Sequence, residues 1–282
     1  MSFHSIRYEV AGRIATITLS RPDQLNAIDQ HIPGEIRQAV EAANSDPEVH
    51  VIVLTGEGRA FCAGYDLVAF AQTRGENAGV QSMPWDPTVD FKMMFQNTQD
   101  FSSLWHSYKP TIAKVRGYAV AGGSDIALCC DLLVMADDAK IGYPPARVWG
   151  CPTTAMWVYR LGAQLAKRML LTGDLMDGSE AARVGLAAEA VPEAELDARV
   201  QALAERMAAI PRNQLLMNKL MVNQAFENMG LRTTQMFATL FDGVARHSPE
   251  GLWFKQRAEE VGFKQAVKER DGGDPIAPGV SK

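Results

Sequence analysis

The order of strand-like and helix-like segments is the feature that most constrains the fold of this chain. Alternating apolar and polar residues at Ile6 to Val10 and Arg13 to Leu19 predict a β-hairpin around Ala11-Gly12. A helical pattern over Asp29 to Asn44 follows, and then a short apolar run, Val49 to Leu54, typical of a buried strand. Because strands that alternate with helices pair in parallel through βαβ crossovers, this order predicts an α/β protein with a parallel sheet.

The rest of the chain changes gradually from this alternation to a helical pattern. Short strands are predicted at Ile112 to Val115, Leu132 to Ala136 and Ala187 to Val191, and a helix begins near Gly122. Since Gly75 to Pro87 shows no periodicity, we expect a mobile loop there. Further helices are predicted at Thr154 to Leu161, Ala163 to Leu171, Ser179 to Val184, Glu193 to Ala209, Pro211 to Met229 and Leu231 to Arg246, and from Ser248 onward.

Composition and charge argue against nucleic acids and membranes as partners. Of the 282 residues, 47% are hydrophobic and 22% charged, as in an ordinary globular protein with a sizeable core. The net charge of -5 comes without a long basic run, so no nucleic acid or anionic membrane surface is expected. Met1 to Arg7 lacks an apolar signal core and no apolar run could span a bilayer, so we expect a cytoplasmic location. The cysteines (Cys62, Cys129, Cys130 and Cys151) form no CxxC pair, which favours reduced thiols over disulfides or a metal site.

A glycine pair, Gly122-Gly123, opens an apolar helix within the stretch Val120 to Asp131. Backbone N–H groups at a helix start have no partner inside the helix, and the positive end of the helix dipole lies behind them. They can therefore bind an anion or stabilise an oxyanion. Asp125 lies about one turn along and can face the same pocket. The alternative is a closely packed glycine pair with Asp125 as a cap.

A second glycine-centred turn, Gly58 to Leu67, follows the predicted strand that ends at Leu54. Ala63 and Gly64 are small enough for a ligand to approach the backbone, and the N–H of Tyr65 is free to donate. In an α/β sheet both glycine turns would follow the carboxyl ends of strands, where such folds bind ligands. Two converging backbone donors would form an oxyanion hole.

These turns belong to a series of motifs that resembles the crotonase superfamily, which contains enoyl-CoA hydratases and isomerases. The resemblance runs in register over about residues 6 to 192. It implies a ββα spiral core with an acyl-CoA site over 1–192 and a helical trimerisation region over 193–270. The Gly, Pro and Asp residues of 271–282 predict a flexible tail. The matching motifs are Arg21-Pro22, Leu25-Asn26-Ala27, Phe61 to Leu67, Lys109-Pro110, Val115 to Asp131, Met169 to Gly173 and Ala181 to Leu186.

The resemblance also implies a site and its ligands. The two oxyanion donors of the family correspond to the backbone N–H groups of Tyr65 and Gly122, and an acyl-CoA thioester is the implied substrate. No metal or separate cofactor is implied, since coenzyme A is part of the substrate, and the implied assembly is a homotrimer or a dimer of trimers. The implied substrate-binding residues are Asn26, Ala27, Ala63, Gly64, Asp66, Leu67, Gly123, Pro144 and Pro145.

The acids depart from the pattern of the hydratases in this family, which use two glutamates. The first position corresponds to Asp125, a shorter acid, and the second corresponds to Pro145, which cannot transfer a proton. Hydration of an enoyl thioester needs one group to activate water at Cβ and one to protonate Cα. Tyr143, Arg147, His106 and Asp86 are candidates to replace the missing acid, each weighed against a structural or surface role.

The sequence therefore leads to one function with three alternatives. The first is an enoyl-CoA hydratase in which Asp125 is the acid/base. A double-bond isomerase or a hydrolase could instead use Asp125 alone. The last alternative is an acyl-CoA binding protein with impaired turnover, suggested by the loss of the second glutamate. Asp66, next to a donor position, is expected to cap the turn that follows it.

Overall fold

The computed structural model describes residues 3–77 and 79–273, and within them it confirms an α/β fold. The larger sheet has the order β1-β2-β3-β4-β6-β9, and the smaller one has the order β5-β7-β8. The strands are β1 (Ile6–Ala11), β2 (Ile14–Leu19), β3 (Val51–Gly56), β4 (Thr111–Val115), β5 (Tyr118–Val120), β6 (Leu132–Ala136), β7 (Lys140–Gly142), β8 (Leu175–Asp177) and β9 (Glu189–Val191).

The predicted hairpin is confirmed, since β1 and β2 pair antiparallel with Ile6 opposite Leu19. From β2 onward every neighbour in the large sheet is parallel, beginning with Ile14 opposite Val51. All six residues of β3 are buried, as expected for a central strand covered on both faces. In the small sheet β7 pairs parallel with β5 and antiparallel with β8. The three-residue strands β5, β7 and β8 were not predicted, because such short segments show no alternation.

Helices surround the sheets and form most of the C-terminal part. The predicted break in the helical stretch after residue 153 is confirmed at Gly162, whose φ of +69° and ψ of 173° interrupt it. The helix Pro87–His106 was not predicted. The helices are α1 (Ile32–Ser45), α2 (Pro87–His106), α3 (Gly122–Leu128), α4 (Met156–Thr172), α5 (Gly178–Arg183), α6 (Glu193–Ala208), α7 (Arg212–Asn228), α8 (Leu231–His247), α9 (Pro249–Val261) and α10 (Phe263–Gly272).

Local contacts explain where two of these elements begin. Asp29 Oδ1 accepts the backbone N–H groups of His31 and Ile32, so α1 begins three residues later than the sequence predicts. The aperiodic segment before α2 forms neither a helix nor a strand in its described residues, and Asp86 caps α2 by accepting from the Thr88 N–H. The start of the predicted tail completes α10, and 274–282 lie outside the described residues.

Two apolar clusters hold the fold together. The main cluster fills the space between the sheets and the helices, with Phe61, Phe101 and Trp157 among its fully buried side chains. A second cluster joins α9 and α10 to the short helical turn Val68–Gln72 and includes Trp149 and Phe254. In the described part of the chain, we find no helix with the length and apolar content needed to cross a membrane.

Candidate active site

A cavity of about 740 Å³ opens where β3, β5 and β7 end. Its wall includes Ala63 and Tyr65 after β3, Gly122 and Asp125 after β5, and Pro145 after β7. Helices α2, α8 and α10 complete the wall. The cavity is therefore at the carboxyl ends of strands, the position that an α/β sheet favours for a ligand.

The first glycine turn holds the N–H of Tyr65 without an acceptor among the described residues. Its neighbours are paired to the backbone of Ile28, because Ile28 N–H donates to Gly64 O and Asp66 N–H donates to Ile28 O. Gly64 has a φ of +90°, and a methyl group on it would lie 2.7 Å from the Ala121 Cβ. The turn therefore needs glycine both for its conformation and for its close approach to the second turn.

The second turn places the N–H of Gly122, also without an acceptor in the described chain, at the start of α3. A methyl group on Gly122 would lie 3.1 Å from Cε2 of Tyr65 and 2.7 Å from Cδ1 of Ile28. The Tyr65 ring thus packs directly on Gly122. Two unpaired backbone donors, one from each glycine turn, therefore lie in the wall of one cavity.

Asp125 is buried at 3% exposure, one turn from Gly122 along α3. Its Oδ1 accepts a hydrogen bond of 2.5 Å from Oγ1 of Thr154. Burial raises the pKa of Asp125 to about 8, and the charge of Asp242 adds to this shift while Thr154 opposes it. Near neutral pH the carboxyl group is therefore mostly protonated and can donate a proton to a bound molecule.

The loop after β7 brings Pro144 and Pro145 to the cavity wall as a short helical turn. Tyr143 also lines the cavity, but its hydroxyl donates to Cys151 O at 2.7 Å, which is a structural contact. Arg147 pairs with Asp271 at 3.1 Å and not with Asp125, and it is absent from the described wall. A proline turn thus occupies the position at which the hydratases of the family have their second glutamate, according to the resemblance described above.

His106 and Asp86, the two more distant candidates for a second acid, are also absent from the described wall of the cavity. His106 is half exposed and pairs with Glu227 at 3.3 Å, whereas Asp86 caps α2. Both therefore have the structural or surface roles that the sequence analysis weighed against catalysis.

A family model described as enoyl-CoA hydratase/isomerase matches residues 9–257. The chain belongs to this family. The predicted crotonase superfamily and its fold are thereby confirmed.

Individual relatives agree with this assignment. A probable enoyl-CoA hydratase of Mycobacterium bovis is 32% identical over 235 residues, covering 81% of this chain and 84% of the relative. The crotonyl-CoA hydratase of Syntrophomonas wolfei is 29% identical over 274 residues, covering 96% and 97% of the two chains. An enoyl-CoA hydratase structure from Mycobacterium smegmatis has a TM-score of 0.91 at 48% identity, covering 99% of this chain and 98% of that one.

Four of the predicted substrate-binding residues of this hydratase/isomerase family member line the cavity. They are Ala63 and Leu67 in the first turn and Pro144 and Pro145 after β7. The other five are absent from the described wall: Asn26, Ala27, Gly64, Asp66 and Gly123.

The contacts of three supporting residues show how they shape the turns. Asn26 is fully buried, and its amide donates to the carbonyl oxygens of Glu57 and Ala60. Asp66 Oδ1 accepts the N–H groups of Val68 and Ala69, which confirms the predicted cap. Gly123 packs against Cys62, since a methyl group on it would lie 2.2 Å from the Cys62 carbonyl oxygen.

Two residues of the cavity wall, Asp242 and Arg246 of α8, were missed by the sequence analysis. They are four residues apart on an amphipathic helix, a spacing that is usually found for exposed ion pairs. Here both are buried, and Arg246 also pairs with Asp90 of α2 at 2.8 Å. No local signal distinguishes this buried pair from a surface pair, because its burial depends on where α8 packs.

Proposed function

We propose that this chain is an acyl-CoA enzyme, nominally an enoyl-CoA hydratase, that stabilises the enolate of a thioester. The observation that carries the proposal is the pair of unpaired N–H groups of Tyr65 and Gly122 beside the buried Asp125. Two backbone donors stabilise the oxygen of a thioester more strongly in the enolate than in the carbonyl form, because the enolate oxygen carries the negative charge. One donor of this kind typically contributes about 10²–10³ in rate.

Asp125 is the proposed acid/base for carbon. A carboxyl group that is protonated near neutral pH can deliver a proton to Cα of the enolate, and its conjugate base can remove that proton in the reverse direction. This chemistry needs no metal and no separate cofactor. Coenzyme A enters only as part of the substrate.

The wall of the cavity fits an acyl thioester. Ala63, Leu67, Pro144 and Pro145 would contact the pantetheine and acyl parts of the substrate, and the apolar cluster around Trp149 would receive the acyl chain. The supporting residues Asn26, Ala27, Gly64, Asp66 and Gly123 would hold the backbone that contacts coenzyme A.

Product analysis tests the reaction. Formation of 3-hydroxyacyl-CoA from crotonyl-CoA supports hydration. If the only reaction is double-bond migration in a 3-enoyl-CoA, the protein is an isomerase. Release of free coenzyme A favours a hydrolase. Deuterium uptake at Cα of butyryl-CoA in heavy water tests enolate formation without reference to any of these outcomes. If both thioesters bind but neither turnover nor deuterium exchange is detected, the result favours an acyl-CoA binding protein with impaired turnover.

We propose a homotrimer or a dimer of trimers, the assembly that the resemblance implies, and the exposed surface of the C-terminal helices supports self-association. Large apolar side chains on α7 and α8 are exposed in the single chain, a surface that needs a partner. A molar mass measured by light scattering tests the assembly, and the cytoplasmic location stays a prediction. The exposed apolar residues of the two helices are Met217, Leu220, Met221, Val222, Met236, Phe237, Leu240, Phe241 and Val244.

One cluster elsewhere in the described chain resembles a metal site, but its contacts explain it structurally. The ligand atoms of His4, His31 and Glu35 lie within 4.8 Å of one another. Both carboxylate oxygens of Glu35 accept backbone N–H groups, from His4 and Ser5, which fixes the N-terminal segment on α1. We therefore assign no metal to it.

A further inference from the structure

Besides Asp125, the cavity wall includes the carboxyl group of Asp242 on α8, which no part of the sequence pattern predicts. Its position relative to the proline turn follows from Gly150, which lies between them. A methyl group on Gly150 would lie 3.2 Å from Asp242 Oδ1 and 3.3 Å from Pro145 Cβ. The carboxylate of Asp242 therefore borders Pro145, where the chain lacks its second acid.

The charges of Asp242 and Asp125 affect the same two hydroxyl groups, those of Tyr143 and Tyr65. Burial, followed by the charges of Asp125 and Asp242, raises the pKa of Tyr143, whose hydroxyl would lie 3.2 Å from the same methyl group on Gly150. The two carboxyl groups also raise the pKa of Tyr65 beyond the effect of its burial. Both acids therefore lie in the wall of one cavity and are close enough to Tyr143 and Tyr65 to influence their pKa values.

Burial raises the pKa of Asp242 as well as that of Asp125, but the Arg246 guanidinium and the Cys151 N–H oppose the shift at Asp242, so its contacts favour the ionised form more than those of Asp125 do. Arg246 contacts Asp242 Oδ2 through Nε at 3.1 Å and Nη2 at 3.0 Å, and Cys151 N–H donates to Oδ1 at 3.1 Å. Asp125 has a neutral hydroxyl, that of Thr154, as its side-chain partner. Two carboxyl groups in such different surroundings are suited to opposite roles in proton transfer.

We propose that Asp242 is the second catalytic carboxylate of this site and that it activates the water which adds at Cβ. The inference rests on the proposed function, since it names the group that hydration needs in addition to Asp125. Asp125 is one turn from the Gly122 donor and is thus assigned to Cα, whereas Asp242, on the Pro145 side, is assigned to Cβ.

The proposed reaction adds water across the double bond of an enoyl thioester. Asp242 takes a proton from water, the water oxygen bonds to Cβ, and the π electrons move to the thioester oxygen between the Tyr65 and Gly122 N–H groups. Protonated Asp125 then gives its proton to Cα, which restores the carbonyl. The proton on Asp242 returns to Asp125 through water in the cavity, and both groups recover their starting states.

The test compares D242N and D242E with a matched control, D90N. Asp90 is buried and pairs with the same arginine, but it is absent from the described wall of the cavity. We expect D242N to lower hydration of crotonyl-CoA by about 10²-fold or more while deuterium exchange at Cα of butyryl-CoA falls less than about tenfold. D242E should recover part of the hydration rate, and D90N should keep it within about tenfold.

Several outcomes would overturn the inference, and they are distinct from failure of the proposed function. Equal losses of hydration in D242N and D90N would show a structural role for Asp242. Hydration at the wild-type rate in D242N would exclude Asp242 from catalysis. Parallel loss of hydration and exchange in a D242N protein with normal thermal unfolding would exclude the division of roles. A wild-type protein that neither hydrates nor exchanges would instead refute the proposed function, and the inference with it.

Discussion

The hydroxyl of Thr154 donates a hydrogen bond to the carboxyl group of Asp125, and both side chains are buried. Thr154 is just before α4, whereas Asp125 is on α3, so the packing of two helical segments sets this contact. The bond lowers the pKa of Asp125 against the stronger effect of burial. It therefore tunes the acid without making it fully ionised.

Replacing Thr154 with valine should raise the pKa of Asp125 above its value of about 8. Hydrogen bonds to charged groups contribute about 1.5–3 kcal/mol, so the expected shift is about one to two pH units. The measurement is the alkaline limb of kcat against pH with an acyl-CoA substrate. An unchanged limb would mean that Asp125 does not control it. T153V is the control, since Thr153 also lines the cavity but forms no hydrogen bond with Asp125 among the described residues.

Asp125→Asn should lower turnover by about 10²–10⁴-fold while thioester binding is retained, because the amide cannot exchange a proton. It should also stabilise the protein, since burial raises the folded-state pKa of Asp125 above its ordinary 3.8. The stability of the wild type then falls as pH rises from about 4 to about 8, because the unfolded chain releases this proton first.

The stabilisation by Asp125→Asn should therefore grow over the same pH range. Calorimetry at about pH 5 and about pH 8.5 measures it, and we expect a difference in Tm of about 2–8 °C at the higher pH. A Tm difference that is independent of pH would contradict the assigned protonation state. A rate equal to that of the wild type would exclude Asp125 from catalysis.

Gly122→Ala should damage the candidate oxyanion hole more than the fold. The new methyl group would lie 2.7 Å from Ile28 Cδ1 and 3.1 Å from the Tyr65 ring, so the first turn must move away. We expect a loss of kcat of at least about 10²-fold. Gly34→Ala in α1 is the matched control, because its methyl group meets nothing within 4 Å and alanine favours a helix. Equal activity of the two variants would refute the role of Gly122.

Phe237→Glu should dissociate the proposed trimer. Phe237 is 57% exposed in the single chain and lies near Phe241, at a ring distance of 6.3 Å, on the apolar face of α8. A charge in an apolar subunit contact is costly to desolvate. Light scattering should give about one third of the wild-type mass if the protein is a trimer, and about one third or one sixth if it is a dimer of trimers. Val10→Glu on the edge strand β1 is the control and should leave the mass unchanged.

Much of the fold follows from local pattern. The β1–β2 hairpin alternates apolar and polar residues, and β3 is a short apolar run, so their side-chain periods reveal them. The helix α2 was missed even though Pro87 and the Asp86 cap are present, because its apolar stripe is weak against its many polar residues. The strands β5, β7 and β8 are three residues long and depend on pairing partners that are distant in the chain.

The candidate site was likewise predicted from the sequence only in part. The sequence by itself determined the two glycine turns and the acid Asp125, because close backbone approach and the start of a helix need particular residues at particular spacings. Only the tertiary structure decided that Asp242 reaches the cavity, since that depends on how α8 packs on α2, and that Tyr143 is committed to a backbone carbonyl. Burial, which sets the protonation of Asp125, is likewise a property of the whole fold and not of any short segment.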